Sequence, residues 1–156
     1  MITQGRFWWL TLLLLGLPAV SRADDEVKVT VLAILGSSVD DKVCPKCAPI
    51  AREIQKRDPS LTGFHIERTT TKAIGVGKSA RFPLVDSEDV VVTIEASLDN
   101  QGKISLTIEP PTLGAITYSC RCGKFLPVLT RHRTAAGDRL IVGIMAEPCL
   151  LKQPEK

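Results

Sequence analysis

The strongest constraint on the fold is an alternation of apolar and polar residues that runs through much of the segment from Phe82 to Met145. Apolar side chains occupy every second position from 90 to 98 and again from 104 to 108. Because successive side chains of a strand point to opposite faces, each of these segments has one apolar face. Turn residues separate them at 99–102, and Pro110 and Pro111 follow, where proline has no N–H for a ladder. The pattern predicts a β-hairpin.

Further strands are predicted on both sides of this hairpin. Residues 27–35 and 62–71 favour extended structure upstream, and residues 115–121 and those following Leu126 do so downstream. Turn residues at 134–138 predict a second hairpin loop. The near-continuous apolar run at 140–145 is typical of a central strand that is buried on both faces.

One helix interrupts the strands. Ile50, Ala51 and Ile54 recur at helical spacing within residues 48–56, and Asp58 and Pro59 end the pattern. One amphipathic helix and many strands predict an α+β fold. We expect a mostly antiparallel sheet of about six to seven strands, with the helix packed on one face.

The first 23 residues have the features of a signal peptide. Arg6 precedes an apolar run at 7–17, and Ser21 and Ala23 supply small residues at a cleavage site. The run is shorter than the ~20 residues that span a bilayer. We therefore predict export to the periplasm or the exterior, with residues 24–156 forming a single globular α+β domain and no membrane span in that part.

The charge balance does not favour a polyanionic partner. Loss of Arg6 and Arg22 with the signal peptide reduces the 20 basic residues to 18, against 17 acidic ones. Neither nucleic acid nor an anionic membrane surface is indicated by this balance. A local basic patch is a candidate binding surface, formed if the strands align Arg121, Lys124, Arg131, Arg133 and Arg139.

The five cysteines carry the main chemical hypotheses. Export would place Cys44, Cys47, Cys120, Cys122 and Cys149 where disulfides persist, so all five are disulfide candidates. Cys120 and Cys122 share a strand face and do not readily bond to each other. We expect links from the helix start and from the chain end to the sheet, although spacing alone leaves the pairing open and one thiol left over.

Two other interpretations use the same cysteines. The spacings C-x-x-C and C-x-C predict a zinc site with Cys44, Cys47, Cys120 and Cys122. Alternatively, C-x-x-C at a helix start is typical of thiol–disulfide chemistry. A strand, then Cys44 and Cys47, then a helix resembles the opening of a thioredoxin-like domain. The resemblance ends there, because such a domain needs further helices and residues 62–149 read almost entirely as strands.

No other motif indicates catalysis. Residues 75–79 (GVGKS) resemble the end of a phosphate-binding loop, but Lys72 stands where its first glycine is required, so a turn between strands is predicted. His65 and His132 are interpreted as surface residues, and Asp86 and Glu88 as part of a solvated turn. The sequence therefore favours a non-enzymatic protein without a cofactor.

Residues 50–64 and 122–131 resemble segments of small exported bacterial proteins of unassigned function. This resemblance implies no activity. The interpretation is an exported, disulfide-braced module that binds a protein or a cell-envelope component. A thiol–disulfide oxidoreductase using Cys44 and Cys47, and a zinc-stabilised module, are the alternatives.

Overall fold

The computed structural model describes residues 26–149, so the predicted signal peptide lies outside the described residues. Eight strands, one α-helix and a preceding turn of 3-10 helix at Pro45–Cys47 make up this part of the chain. The helix α1 is Ala48–Gln55. The strands are β1 (Glu26–Ser37), β2 (Gly63–Gly75), β3 (Ser79–Pro83), β4 (Asp89–Ala96), β5 (Lys103–Glu109), β6 (Ile116–Arg121), β7 (Leu126–Arg133) and β8 (Arg139–Pro148).

The strands form two four-stranded sheets rather than one. Sheet A has the order β2-β1-β8-β7 and sheet B the order β3-β4-β5-β6, and all the paired strands are antiparallel. The antiparallel pairing and the α+β class are confirmed. The prediction of one sheet with about six to seven strands is wrong. A helix of eight residues is too short to cover a single sheet of six to seven strands. The strands divide into two sheets, and sheet B covers one face of sheet A.

The apolar faces of the two sheets meet in an inter-sheet core. On β1, alternate residues from Val27 to Leu35 point into this core, and on β4 and β5 the buried positions are those of the predicted hairpin. Ile94 and Leu106, which are in register, are completely buried there. The other face of sheet B carries polar residues, which is why a period of two was visible in the sequence.

A second, smaller cluster lies on the other face of sheet A, under α1. This helix-side core contains Ile50 and Ile54 of the helix, Ile34 of β1, Ile141 of β8 and Phe64 of β2. The central strands β1 and β8 are therefore apolar on both faces, as predicted for residues 140–145. A side chain at Gly143 would place its Cβ 3.0 Å from the terminal methyl group of Ile50, so glycine allows the helix to approach β8 closely.

Strand β3 overlaps residues 80–85, whose sequence favours extended structure after the predicted turn at 75–79. It is short, lies at the edge of sheet B and ends at Pro83. The GVGKS segment is the turn from β2 to β3, as predicted, and Gly77 has a φ of 76°. No helix within residues 26–149 is long and apolar enough to cross a membrane.

Candidate functional site

Cys44 is held in place by the start of β2. The Cys44 N–H donates to the carbonyl oxygen of Phe64 at 3.0 Å, and the Phe64 N–H donates to that of Lys42 at 2.8 Å. Val43 forms an isolated parallel bridge with Phe64. These bonds fix the end of the long loop between β1 and α1, which delivers Cys44 to the helix start.

Cys44 and Cys47 form a disulfide, with their Cα atoms 5.1 Å apart. Cys47 is completely buried in the helix-side core, whereas Cys44 is only partly buried. The sequence analysis expected the helix start to be linked to the sheet, but the structure joins these two residues to each other. The reason is local: Pro45 starts a turn of 3-10 helix that brings Cys47 back to Cys44.

The surroundings of this disulfide resemble those in which thiol chemistry occurs. The Cys47 N–H lies 3.2 Å from the Cys44 sulfur and donates to it. The first N–H groups of a helix have no partner within it, and the helix dipole favours negative charge there. After reduction, these features would favour a thiolate on Cys44, which is the less buried of the two residues.

An apolar groove lies beside the first turn of α1. This helix groove, of about 480 Å³, is bounded by α1 and by the loop between β6 and β7. Its lining includes Pro49, Ile50, Glu53, Lys124, Phe125 and Pro127. Phe125 packs against the helix-side core, so its ring forms a fixed wall. Glu53 and Lys124 place one charge of each sign on the lining.

The remaining cysteines lie elsewhere. Cys120 is buried in the inter-sheet core, with its sulfur 3.5 Å from the carbonyl oxygen of Ile104. Burial raises the pKa of the Cys120 thiol above its ordinary value. Cys122 and Cys149 are partly buried and have free thiols.

Cys122 and Cys149 line the same cleft, of about 510 Å³, together with Lys28, Glu147 and Pro148; we refer to it as the thiol cleft. The Lys28 ammonium lies 2.7 Å from a carboxylate oxygen of Glu147. This hydrogen bond and the charge of Glu147 raise the pKa of Lys28. The cleft therefore combines an ion pair with two thiols.

The structure does not bring together the four cysteines of the zinc hypothesis. Cys44 and Cys47 lie on the helix side of sheet A, whereas Cys120 lies on its inter-sheet side. Within residues 26–149, no group of three or more His, Cys, Asp or Glu side chains is arranged to hold a metal ion. A zinc site with all four cysteines is therefore not formed, because sheet A separates Cys44 and Cys47 from Cys120.

The predicted basic residues are spread over two sheets and both ends of β7. Arg121 lies on β6 opposite Lys103, and Lys124 lines the helix groove. Arg139 is engaged by Asp58, with 2.8 Å between nitrogen and oxygen, and it also donates to the carbonyl oxygen of Thr130. Arg133 donates to the carbonyl oxygen of Gly137. Arg131, two residues earlier on β7, is exposed. Arg133 and Arg139 are paired in register on β7 and β8, and a patch of all five residues stays a prediction.

A histidine–carboxylate cluster was missed by the sequence analysis. The side chain of His132 is 17% exposed, and its Nε2 lies 3.0 Å from a carboxylate oxygen of Asp86. Glu88 lies 3.8 Å from Nδ1 of the same ring. His132 belongs to sheet A, whereas Asp86 and Glu88 belong to the loop after β3. The histidine is 46 and 44 residues away from these two acids in sequence, so no local pattern indicated the contact. His65, in contrast, is half-exposed and bonded to Glu67, as expected for a surface residue.

Comparisons of the chain with protein-family models, with curated proteins and with solved structures found no match.

Proposed function

We propose that the protein is an exported, non-enzymatic module that binds an apolar, extended segment of a partner protein in the helix groove. The observation that carries this proposal is the apolar groove with fixed walls between α1 and the loop from β6 to β7. Concave, mostly apolar sites with a few polar groups are the usual form of binding sites. The Cys44–Cys47 disulfide supports the function by fixing the start of the helix that forms one wall.

The charges beside the groove favour a peptide over a lipid surface. Glu53 and Lys124 give the lining one negative and one positive side chain, whereas an anionic membrane is recognised by a cluster of basic residues. Among the predicted basic residues, Lys124 lines the groove, and Arg139 is engaged by Asp58. A peptide offers both apolar side chains and polar groups of either charge.

Selection from a displayed library of random peptides tests the proposal. We expect selected peptides to be rich in apolar residues and to lose at least about tenfold in affinity for Phe125→Ala and Glu53→Lys, because a groove contact and a charge are removed. Arg52→Ala, an exposed change on the same helix but outside the groove, is the matched control. Peptides that bind Phe125→Ala and Glu53→Lys as tightly as the unchanged protein would contradict this site.

A second candidate function is thiol–disulfide oxidation, which is favoured by the unequal burial of the two bonded cysteines. A thiolate of a substrate dithiol would attack the sulfur of Cys44, the less buried residue, and release Cys47 as a thiolate. The second substrate thiolate would then attack the substrate sulfur of the mixed disulfide and release Cys44. Two electrons pass to the protein, and a small-molecule disulfide would restore the bond.

This second function is tested by oxidation of a dithiol peptide in the presence of glutathione disulfide. We expect Cys44→Ser to abolish any acceleration over the uncatalysed reaction, while Cys122→Ser retains it. If the unchanged protein gives no acceleration, the disulfide acts only as a brace. Its closed loop of four residues then contributes about 2 kcal/mol to the free energy of unfolding.

A further inference from the structure

We infer that Cys122 and Cys149 form a second disulfide, which joins sheet B to sheet A at the end of the sandwich where the thiol cleft lies. This inference does not rest on the proposed function, because it is argued from the thiol cleft and not from the helix groove or the Cys44–Cys47 bond. It assigns a pairing that the sequence left open among five cysteines.

Cys122 lies at the point where the chain leaves sheet B. It directly follows β6, the edge strand of sheet B, and its N–H donates to the carbonyl oxygen of Gly102 at 3.1 Å. The next residue, Gly123, donates to the carbonyl oxygen of Ala146 on β8, also at 3.1 Å. The chain therefore passes from sheet B onto sheet A at Cys122, beside the last residues of β8.

Cys149 lies at the end of sheet A that the chain reaches from Cys122. It directly follows β8, and its N–H donates to the carbonyl oxygen of Glu26 at 3.0 Å, which extends the pairing of β8 with β1 by one residue. Cys149 is thus held three residues beyond Ala146, to which the neighbour of Cys122 is bonded. Both thiols line the thiol cleft, and both residues are partly buried rather than enclosed.

The other described cysteines are not placed to pair with Cys122 or Cys149. Cys44 and Cys47 are already bonded to each other. The Cys120 side chain, on β6 of sheet B, is buried in the inter-sheet core. Its sulfur contacts the carbonyl oxygen of Ile104. Of the three free cysteines in residues 26–149, Cys122 and Cys149 both line the thiol cleft, and Cys120 is not part of its lining.

The reaction needs a disulfide as oxidant, such as glutathione disulfide. The thiolate of Cys122 or Cys149 attacks one sulfur of the oxidant and releases the first glutathione thiolate. The remaining cysteine thiolate then attacks the protein sulfur of the mixed disulfide and releases the second. The protein loses two electrons and two protons, and the oxidant becomes two thiols.

Trypsin separates all five cysteines, so peptide mapping tests the pairing directly. Cleavage after Arg121 divides Cys120 from Cys122, and cleavage after Lys46 divides Cys44 from Cys47. The full chain is equilibrated with glutathione disulfide, its remaining thiols are blocked, and it is digested without reductant. We expect peptide 122–124 to be joined to peptide 140–152, with a mass two hydrogen atoms below the sum of the two peptides.

Two variants make the result specific. Cys122→Ser should leave Cys149 open to alkylation or bound to glutathione, while Cys120→Ser should retain the linked peptides. In protein whose Cys44–Cys47 bond has already formed, oxidation of the remaining thiols should also raise the urea concentration at the midpoint of unfolding in Cys120→Ser but not in Cys122→Ser. The inference is overturned if Cys149 pairs with Cys120, if Cys122 pairs only between chains, or if both thiols stay free while Cys44–Cys47 forms.

Discussion

At the scale of single residues, Gly63 has a specific steric role in holding the loop that leads to Cys44. A Cβ at this position would lie 2.8 Å from the backbone oxygen of Asp40, which cannot rotate away as a side chain could. We expect Gly63→Ala to lower the free energy of unfolding by about 1–3 kcal/mol, because the loop must shift. Urea denaturation measures this, and Gly114→Ala, with open space around its Cβ, is the control. Equal stability of the two variants would contradict the steric argument.

The burial of Cys120 makes a second prediction at this scale. Its raised pKa and its enclosure in the inter-sheet core both reduce the amount of reactive thiolate. In native protein with free Cys122 and Cys149, we expect iodoacetamide to modify Cys120 at least about tenfold more slowly than either of the other two. The rates are measured on tryptic peptides after quenching. Similar rates for all three thiols would show that the core around Cys120 opens readily.

The cysteines also show what sequence can and cannot give at the residue scale. The helix start at Cys44 and Cys47, and the strand position of Cys120, were predictable from local pattern. The lack of a link between the helix start and Cys120 was not, because it depends on which face of sheet A each side chain packs against. The His132 contacts with Asp86 and Glu88 were unpredictable for the same reason, since they join segments that only the sandwich brings together.

At the scale of elements, the Asp58 carboxylate links the end of α1 to the start of β8. It accepts hydrogen bonds from the Ser60 hydroxyl and N–H and from Arg139, and these hold the pKa of Asp58 below its ordinary value. Just below pH ~4, this carboxylate therefore binds fewer protons in the folded state than in the unfolded chain. Its contribution to the free energy of unfolding is present above that pH and is lost as the pH falls through the folded pKa.

We therefore expect Asp58→Asn to be less stable than the unchanged protein at pH 7, by about 1 kcal/mol after allowance for partial solvent screening. The difference should shrink towards zero at low pH, where the carboxyl group is protonated in both states. Urea unfolding between pH 2 and pH 7 measures this. Glu53→Gln removes an exposed pair with Lys56 and is expected to change stability little. A constant difference for Asp58→Asn across the pH range would exclude linkage through this carboxylate.

The number and grouping of elements were only partly predictable. The hairpin of β4 and β5, the helix and strand β8 were predictable. In each of them the order of apolar residues along the sequence matches the side chains that are buried. Strand β3 has only five residues, with Phe82 as its fully buried side chain, so its alternation is too short to indicate its bounds or its partner strand. The division into two sheets leaves no local pattern, because one buried face reads the same whether a helix or a second sheet covers it.

At the scale of the whole molecule, sheet A is shared between two cores of different size. The inter-sheet core receives residues from strands of both sheets, whereas the helix-side core depends on one short helix and the loops beside it. An isolated helix of eight residues is not stable in water, so α1 is held by its packing on sheet A. Local opening of α1 should therefore require less free energy than global unfolding.

Matched truncations in the two cores test this difference. Ile54→Ala removes a fully buried side chain of α1, and Ile94→Ala removes one from the inter-sheet core. We expect Ile94→Ala to lower the global free energy of unfolding by about 2–5 kcal/mol and to accelerate hydrogen exchange at the slowest amides. Ile54→Ala should accelerate exchange mainly within Ala48–Gln55 and leave β5, which has no residue in the helix-side core, protected. If both variants accelerate exchange in β5 equally, helix and sandwich unfold as one unit, and the walls of the helix groove are as stable as the fold itself.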